Sequence, residues 1–146
     1  MSPDFRDCMI VLDQAPLEGI FPMIRVLIAD DSPAIRDGLS SLIDAQSDFI
    51  VVGTAGDGIE AVEKAKDLRP DVVIMDAQMP KMDGVEATSK LKRDFPTIGI
   101  LFLSTFSDHI EAARTAGCDG YLTKDCGPIQ LYAEVRRIAA SPKSSE

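Results

Sequence analysis

Three aspartates stand directly after apolar segments of the sequence, at a spacing that could bring their carboxylates together. Asp30 and Asp31 follow the apolar run Ile24–Ala29, and Asp76 follows the run Val72–Met75. Three carboxylates close together repel one another and all stay ionised only when a cation offsets their charge. Oxygen ligands of this kind suit Mg²⁺, which also takes phosphoryl oxygens. Because a carboxylate next to Mg²⁺ can attack phosphorus and form an acyl phosphate, the sequence predicts a phosphoryl-transfer site.

Two later apolar segments add a pair of hydroxyl groups and an ammonium group. Ser104 and Thr105 stand at the end of the fourth apolar segment, and Lys124 follows the fifth. A hydroxyl and an ammonium group can hold the oxygens of a phosphoryl group during its transfer. The sole histidine, His109, has no ligand spacing and is expected to be a solvated residue near the start of a helix. With no histidine or cysteine cluster near the aspartates, zinc is a poor fit for this site.

A frame of alternating strands and helices must position these side chains. The strand candidates are continuous apolar runs, which are typical of a parallel sheet covered on both faces. They are Ile24–Ala29, Phe49–Ala55, Val72–Met75, Gly99–Ser104 and Gly120–Thr123. Helical apolar stripes lie between and after them, and Ser32 followed by Pro33 is typical of the start of the first helix. The pattern predicts an α/β fold, a (βα)5 doubly wound parallel five-stranded sheet with helices on both faces and the functional site at the carboxyl ends of the strands.

The composition limits the classes of function. A formal charge of −9 over 146 residues, without a basic run, leaves no patch suited to nucleic-acid phosphates. The three cysteines, Cys8, Cys118 and Cys126, lack a zinc spacing and favour a reducing compartment over a disulfide framework. No apolar run approaches the ~18 residues that cross a bilayer, and the start of the chain lacks the pattern of a signal peptide. We therefore expect a cytoplasmic protein whose domain binds neither nucleic acid directly nor a membrane.

The chain divides into three parts. Residues 1–22 carry four acidic residues and one basic residue and are broken by Pro16 and Pro22. They are either a real N-terminal extension or an upstream start or cloning artefact, with Met23 as the natural start. Residues 23–140 form the predicted domain, and residues 141–146 are expected to be a tail or the stub of a linker.

The order and spacing of the motifs resemble those of bacterial two-component response-regulator receiver domains. The similar segments are Ile28–Asp31, Asp71–Asp76 with the following Met79-Pro80 and Met82-Asp83-Gly84, Leu103–Thr105 and Gly120–Asp125. The ending Gly-Tyr-Leu-Thr-Lys-Asp resembles the NarL/FixJ-type subfamily. The resemblance implies a flavodoxin-like or CheY-like fold and a phosphorylation-dependent signalling switch.

The resemblance implies a role for each acidic residue. Asp76 would accept the phosphoryl group. Asp31 and Asp76 would ligate Mg²⁺ directly, and Asp30 would do so through water. The backbone carbonyl of Gln78 would be the third protein ligand of the metal.

The resemblance also implies a clamp and a switch. Ser104 and Lys124 would bind the phosphoryl oxygens. Tyr121 would be the switch aromatic residue, which turns inward once Ser104 has moved. Pro80 and Gly84 would shape the loop after the acceptor, with Gly84 opening the third helix.

The partners implied by the resemblance are a sensor histidine kinase or a phosphotransfer protein. The chain would be a phosphoacceptor with self-catalysed transfer and autodephosphorylation rather than a conventional enzyme, and a homodimer is left open. One alternative is a truncated DNA-binding transcriptional regulator whose helix-turn-helix output domain is absent from this chain. The other is a Mg²⁺-dependent phosphatase of the haloacid-dehalogenase type, which needs a second acid where this chain has Gln78.

Two further expectations concern the segment after the fourth strand. The stretch from Phe106 to Gly117 is shorter than the subfamily pattern, which predicts a short or irregular fourth helix. Phe106 is also large and apolar, and it is expected to shield the phosphoryl group from water and slow its hydrolysis.

Overall fold

Five strands alternate with five helices in the computed structural model, which describes residues 23–105 and 109–141. The strands are β1 (Ile24–Ala29), β2 (Phe49–Ala55), β3 (Val72–Asp76), β4 (Gly99–Ser104) and β5 (Gly120–Thr123). The helices are α1 (Pro33–Asp44), α2 (Gly58–Leu68), α3 (Gly84–Asp94), α4 (Ile110–Ala116) and α5 (Pro128–Ala140). The five predicted strands are confirmed, and only β3 differs, because it includes Asp76. The predicted extension 1–22 and the end of the predicted tail lie outside the described residues, so the division of the chain stays a prediction.

The strands form one parallel sheet in the order β2-β1-β3-β4-β5. Strand β2 pairs with one edge of β1, and the chain then crosses over β1 so that β3 pairs with its other edge. The carboxyl ends of β1 and β3 therefore flank the point where the strand order reverses. In open α/β sheets this is the place where functional sites form.

The register between β1 and β3 brings two of the predicted aspartates together. Ala29 lies opposite Met75 on the neighbouring strand. The next residues along the two chains are Asp30 and Asp76, so both emerge at the same edge of the sheet. Their proximity follows from strand pairing and does not depend on the long loops.

The register of the next two strand pairs adds the hydroxyl and the ammonium group. Asp76 lies opposite Leu103 of β4, and Ser104 lies opposite Thr123 of β5. Lys124 follows directly, and its backbone N–H donates to the carbonyl of Ser104 at 2.7 Å. Three neighbouring strands thus deliver an acid, a hydroxyl and a lysine to one edge.

Two apolar cores cover the sheet, which confirms the prediction of helices on both faces. Leu27 and Ala29 of β1 belong to the core shared with α2, α3 and α4, and Val26 and Ile28 belong to the core shared with α1 and α5. Successive residues of a strand point to opposite faces, so both sets are buried only because both faces are covered. This arrangement explains why the inner strands are continuous apolar runs. Within the described residues, none of the helices has the length and apolar character needed to cross a bilayer.

The predicted start of α1 is confirmed, and α4 ends at a glycine. The hydroxyl oxygen of Ser32 accepts a hydrogen bond from the backbone N–H of Ile35 at 3.3 Å, as expected of an N-cap. Gly117 ends α4 with a φ of 102°, a conformation that favours glycine. Helix α4 has seven residues, fewer than the other helices, so the predicted short fourth helix is also confirmed.

The predicted apolar face of α2 is partly wrong. The helical periodicity of the sequence predicts that Ile59 shares this face with Val62 and Ala65, but Ile59 is 42% exposed. The fully buried positions are Ala61 and Ala65. Small residues suffice here because α2 packs close to the loop before α3, where a Cβ on Gly58 would lie 1.9 Å from the carbonyl oxygen of Met82.

Candidate functional site

The three predicted aspartates form one cluster at the carboxyl edge of the sheet. Carboxylate oxygens of Asp30, Asp31 and Asp76 all lie within 4.8 Å of one another. Asp30 is 1% exposed and Asp76 is 6% exposed, whereas Asp31 is an exposed residue. Oδ1 of Asp30 accepts a hydrogen bond from the backbone N–H of Ser32 at 2.9 Å. A buried carboxylate needs such partners because the loss of its hydration is costly.

Lys124 supplies a positive charge to the two buried members of this cluster. Its Nζ atom lies 2.7 Å from Oδ2 of Asp30 and 3.1 Å from Oδ1 of Asp76. Three carboxylates and one ammonium group leave two negative charges uncompensated within the cluster. This excess of oxygen ligands and negative charge fits a hard divalent cation such as Mg²⁺.

The pKa values of the central pair move in the same direction for different reasons. Burial raises the pKa of Asp76, the hydrogen bond from Lys124 opposes this, and the charges of Asp30 and Asp31 add to the rise. Burial alone would lower the pKa of Lys124, but its hydrogen bonds to Asp30 and Asp76 outweigh burial and raise it. Lys124 therefore stays charged at neutral pH, and Asp76 is a carboxylate whose charge is poorly stabilised without a further cation.

A cavity of about 210 Å³ opens beside Asp76. Its walls contain most of the predicted site residues together with the only histidine; they are Asp31, Asp76, Gln78, Ser104, Thr105, His109 and Lys124. Ser104 is 3% exposed, and Gln78 is exposed at the rim. The cavity is polar and has room for a phosphoryl group with its ligands.

His109 is the residue that the sequence interpretation missed. It does stand at the start of α4, as expected, but it is half-buried and lines the cavity beside Asp76. The expectation of a solvated residue was therefore wrong. Only four residues separate Ser104 from His109 in the sequence, so the histidine follows closely on the strand end. That shortness was the one signal in the sequence.

Tyr121 lies on β5, three residues before Lys124, and it does not line the cavity. Its ring stacks on Phe102 with the ring centroids 6.0 Å apart and an interplanar angle of 15°. It is half-buried and borders a separate depression beside α4 that also contains Arg114 and Cys118. Phe106, predicted to shield the phosphoryl group, lies outside the described residues.

The loop between β3 and α3 is tied closely to the carboxyl end of β3. The backbone N–H of Gly84 donates to the carbonyl of Ala77 at 2.8 Å, and a Cβ at Gly84 would lie 1.9 Å from the carbonyl oxygen of Asp76. Asp83 caps α3 by accepting a hydrogen bond from the backbone N–H of Glu86 at 2.8 Å. The prediction that Gly84 opens the third helix is confirmed, and the reason is lack of space behind Asp76.

A larger depression of about 600 Å³ lies between α3 and α4 and contains none of the predicted site residues. It is a shallow groove on the outer surface of the two helices. The chemistry predicted from the sequence therefore belongs to the smaller polar cavity at the end of the sheet.

Comparison with known proteins agrees with this geometry. Residues 26–136 match the family described as the response regulator receiver domain. The response regulator protein VraR of Staphylococcus aureus is 42% identical over 118 residues, which cover 80% of this chain and 56% of VraR. The chain thus spans about half the length of the curated relatives that it matches.

Solved structures with the same fold include two receiver domains. The response regulator domain of Thermotoga maritima CheB has a TM-score of 0.77 and 34% identity, over 82% of this chain and 98% of that one. The receiver domain of the response regulator NarL from Mycobacterium tuberculosis has a TM-score of 0.78 and 29% identity, over 82% of this chain and 98% of that one. With its cluster of aspartates at the reversal point of a five-stranded parallel sheet, the chain belongs to the receiver domains of two-component response regulators, and its relatives agree with the NarL type.

Proposed function

We propose that this chain is a phosphorylation-dependent switch in which Asp76 accepts the phosphoryl group. The observation that carries the proposal is the position of Asp76, at the reversal point of the sheet, next to the Lys124 ammonium group and open to the polar cavity. Ser104, which lines the same cavity, would hold a phosphoryl oxygen together with Lys124. Family membership supports the signalling role, and the cavity supports the choice of acceptor.

In the proposed step, a carboxylate oxygen of Asp76 attacks the phosphorus of the donor. An oxygen–phosphorus bond forms as the nitrogen–phosphorus bond of a phosphohistidine breaks, and the bonding electrons leave with the imidazole nitrogen. With a small acyl phosphate as donor, the bond that breaks is oxygen–phosphorus and a carboxylate leaves. Because Lys124 holds Oδ1 of Asp76, Oδ2 is the oxygen available for the new bond.

The aspartate cluster would hold the metal ion of the reaction. The ligands would be Asp31 and Asp76 directly, Asp30 through water, and the backbone carbonyl of Gln78. When bound, Mg²⁺ supplies positive charge to the phosphoryl oxygens. Lys124 and Ser104 would orient the same group and hold it in line with Asp76.

The output of the switch would pass through Ser104 and Tyr121. Ser104 lies beside Asp76 at the end of β4, and Tyr121 on β5 pairs with Phe102 two residues before Ser104. A phosphoryl group that attracts the Ser104 hydroxyl would leave space at this edge, and Tyr121 would turn inward to fill it. The phosphoryl group thus shifts an equilibrium between two arrangements of one face of the domain.

The donor would be a sensor histidine kinase or a phosphotransfer protein, and a second copy of the chain is a further candidate partner. A longer DNA-binding transcriptional regulator remains the second candidate for the whole protein, because the chain covers only 56% of VraR. Reading the open reading frame beyond Glu146 separates a single receiver from such a regulator. The phosphatase alternative has no support, since Gln78 stands where the general acid would be needed.

The test of the acceptor is Asp76→Asn. With acetyl phosphate and Mg²⁺, the native chain should gain one phosphoryl group, detected by mass spectrometry of the intact protein, and Asp76→Asn should gain none. The amide has nearly the same shape but is a far poorer nucleophile. The matched control is Asp83→Asn, because asparagine caps a helix as well as aspartate does and Asp83 lies outside the cluster. An Asp76→Asn protein that is phosphorylated at the native rate would show that the acceptor is a different residue.

A further inference from the structure

His109 lines the cavity beside Asp76 and has no part in the proposed metal site or clamp. His109 is half-buried and lines the cavity together with Ser104 and Lys124. The Nδ1 atom of His109 is buried and has no hydrogen-bond partner among the described residues. A buried polar atom without a partner is costly, so natural structures rarely leave one unless a further group completes the site.

Helix capping does not account for the burial of His109. His109 occupies the N-cap position of α4, yet its side chain makes no capping hydrogen bond. The N-terminus of α4 therefore gives no reason for a half-buried histidine at this position.

A hydrogen-bond acceptor that enters the cavity would find His109 in its wall. A neutral imidazole carries one N–H group, and an imidazolium carries two, so the ring can donate a hydrogen bond in either form. An acyl phosphate on Asp76 would bring three strong acceptor oxygens into the same space. Ser104 and Lys124 leave part of this acceptor capacity unused.

We propose that His109 binds the phosphoryl group carried by Asp76 by donating a ring N–H to a phosphoryl oxygen. This inference rests on the proposed role of Asp76 as acceptor. His109 would be a phosphoryl-binding residue that this chain adds to the hydroxyl and the lysine.

The experiment uses fluoroberyllate, which imitates the phosphoryl group on an aspartate, and follows its binding with Mg²⁺ by amide NMR. His109→Phe keeps a ring in the cavity wall but removes the N–H, and it should weaken fluoroberyllate binding about tenfold. Asparagine places an amide near the position of Nδ1, and glutamine places one near Nε2. One of His109→Asn and His109→Gln should therefore keep the affinity within about threefold of the native value.

Two controls separate phosphoryl binding from structure. Glu111→Gln changes an exposed residue of the same helix, 81% exposed at the side chain, and should bind fluoroberyllate like the native chain. Mg²⁺ alone should bind equally well to the native chain and to all His109 variants. A structural role would instead lower the melting temperature of His109→Phe and leave the fluoroberyllate affinity unchanged.

The outcomes distinguish this inference from the proposed function. If the native chain fails to bind fluoroberyllate at Asp76, the proposed function fails and the inference fails with it. If the native chain binds and His109→Phe binds equally well, the role of His109 is wrong while the proposed function stands. Equal losses in the phenylalanine, asparagine and glutamine variants would also overturn the hydrogen bond, because neither amide would have replaced it.

Discussion

The Nζ atom of Lys124 lies 3.1 Å from Oδ1 of Asp76, the proposed acceptor. The same atom lies 2.7 Å from Oδ2 of Asp30, so one ammonium group joins buried carboxylates at the ends of two neighbouring strands. A divalent cation would be attracted to the same oxygens. The lysine and such a cation would therefore stabilise the cluster in part by the same means, and they would repel each other across it.

This relationship predicts opposite effects of Lys124→Met on stability and on metal binding. Without Mg²⁺, the loss of the ammonium group leaves Asp30 and Asp76 buried and unpaired, and the free energy of unfolding should fall by about 3 kcal/mol. With the competing positive charge removed, Mg²⁺ should bind more tightly, by about tenfold or 1.4 kcal/mol. Urea unfolding in the presence of a chelator measures the first effect, and a Mg²⁺ titration measures the second.

Lys92→Met is the matched control for this prediction. Lys92 forms a comparable partly buried pair with Asp119 at 2.9 Å, remote from the aspartate cluster. Its loss should also lower the free energy of unfolding, but the affinity for Mg²⁺ should not change. If Lys124→Met bound Mg²⁺ no more tightly than the native chain, competition between the lysine and the metal would have no support.

A second prediction concerns stabilisation by the metal itself. Mg²⁺ at about 100 times its dissociation constant should raise the free energy of unfolding by roughly 2.7 kcal/mol, because it binds the folded cluster and not the unfolded chain. Asp31→Ala should remove most of this gain. Asp31 is the exposed member of the cluster, so its removal leaves both contacts of Lys124 in place. Thermal unfolding with and without Mg²⁺ measures the difference, and an undiminished gain in Asp31→Ala would count against the site.

The sequence was sufficient to predict the acidic cluster because strand pairing brings it together. Asp30 and Asp76 each follow a buried strand, and in a parallel sheet such residues must emerge at the same edge. Residue type and position along the strand were enough for this prediction. The same reasoning placed Ser104 and Lys124 beside Asp76.

The position of His109 could not be predicted in the same way. It lies on a connection after β4, and nothing in the residue type distinguishes a solvated histidine from one that faces a cavity. The direction of the connection depends on how α4 packs, which is a tertiary property. The sequence also could not predict which of the three carboxylates Lys124 contacts, because its hydrogen bond to Asp30 joins residues 94 positions apart.

A third prediction follows from the raised pKa of Asp76. Burial raises this pKa above the unfolded value of 3.8, with the charges of Asp30 and Asp31 adding to the effect. The folded state thus holds the proton of Asp76 more tightly than the unfolded state does. As the pH rises from 3.8 through the folded pKa, ionisation of Asp76 therefore lowers the free energy of unfolding. Below pH 3.8 Asp76 is protonated in both states and this cost is absent. Without metal, Asp76→Asn should be more stable than the native chain at pH 7, and this advantage should shrink as the pH falls. Urea unfolding over a series of pH values measures it.

Asp48→Asn provides a control of opposite sign. A hydrogen bond from Arg136 lowers the pKa of Asp48, whose Oδ2 lies 2.8 Å from Nε of the arginine. The ionised Asp48 carboxylate therefore stabilises the fold at pH values above its unfolded pKa. This stabilisation is lost as the pH falls through the pKa of Asp48 in the folded state. Asp48→Asn should be less stable than the native chain at pH 7, by a small amount because the pair is exposed. If both substitutions shifted stability in the same direction, the burial of the Asp76 charge would not be the cause.

The fourth prediction concerns the space behind the proposed acceptor. A Cβ at Gly84 would lie 1.9 Å from the carbonyl oxygen of Asp76, and backbone atoms cannot move aside as a flexible side chain can. Gly84→Ala should therefore lower the free energy of unfolding by about 3 kcal/mol. The displaced carbonyl belongs to Asp76, so phosphorylation by acetyl phosphate should also slow, by up to about 100-fold for a shift of ~1 Å.

Gly38→Ala makes the same chemical change where space is available. A Cβ at Gly38 meets nothing within 4 Å, and the residue is exposed within α1, so alanine should stabilise the helix by about 1 kcal/mol. Its rate of phosphorylation should equal that of the native chain. Urea unfolding and intact-protein mass spectrometry of both variants measure these effects. A Gly84→Ala protein with native stability and a native rate would mean that the loop before α3 does not fix the position of Asp76.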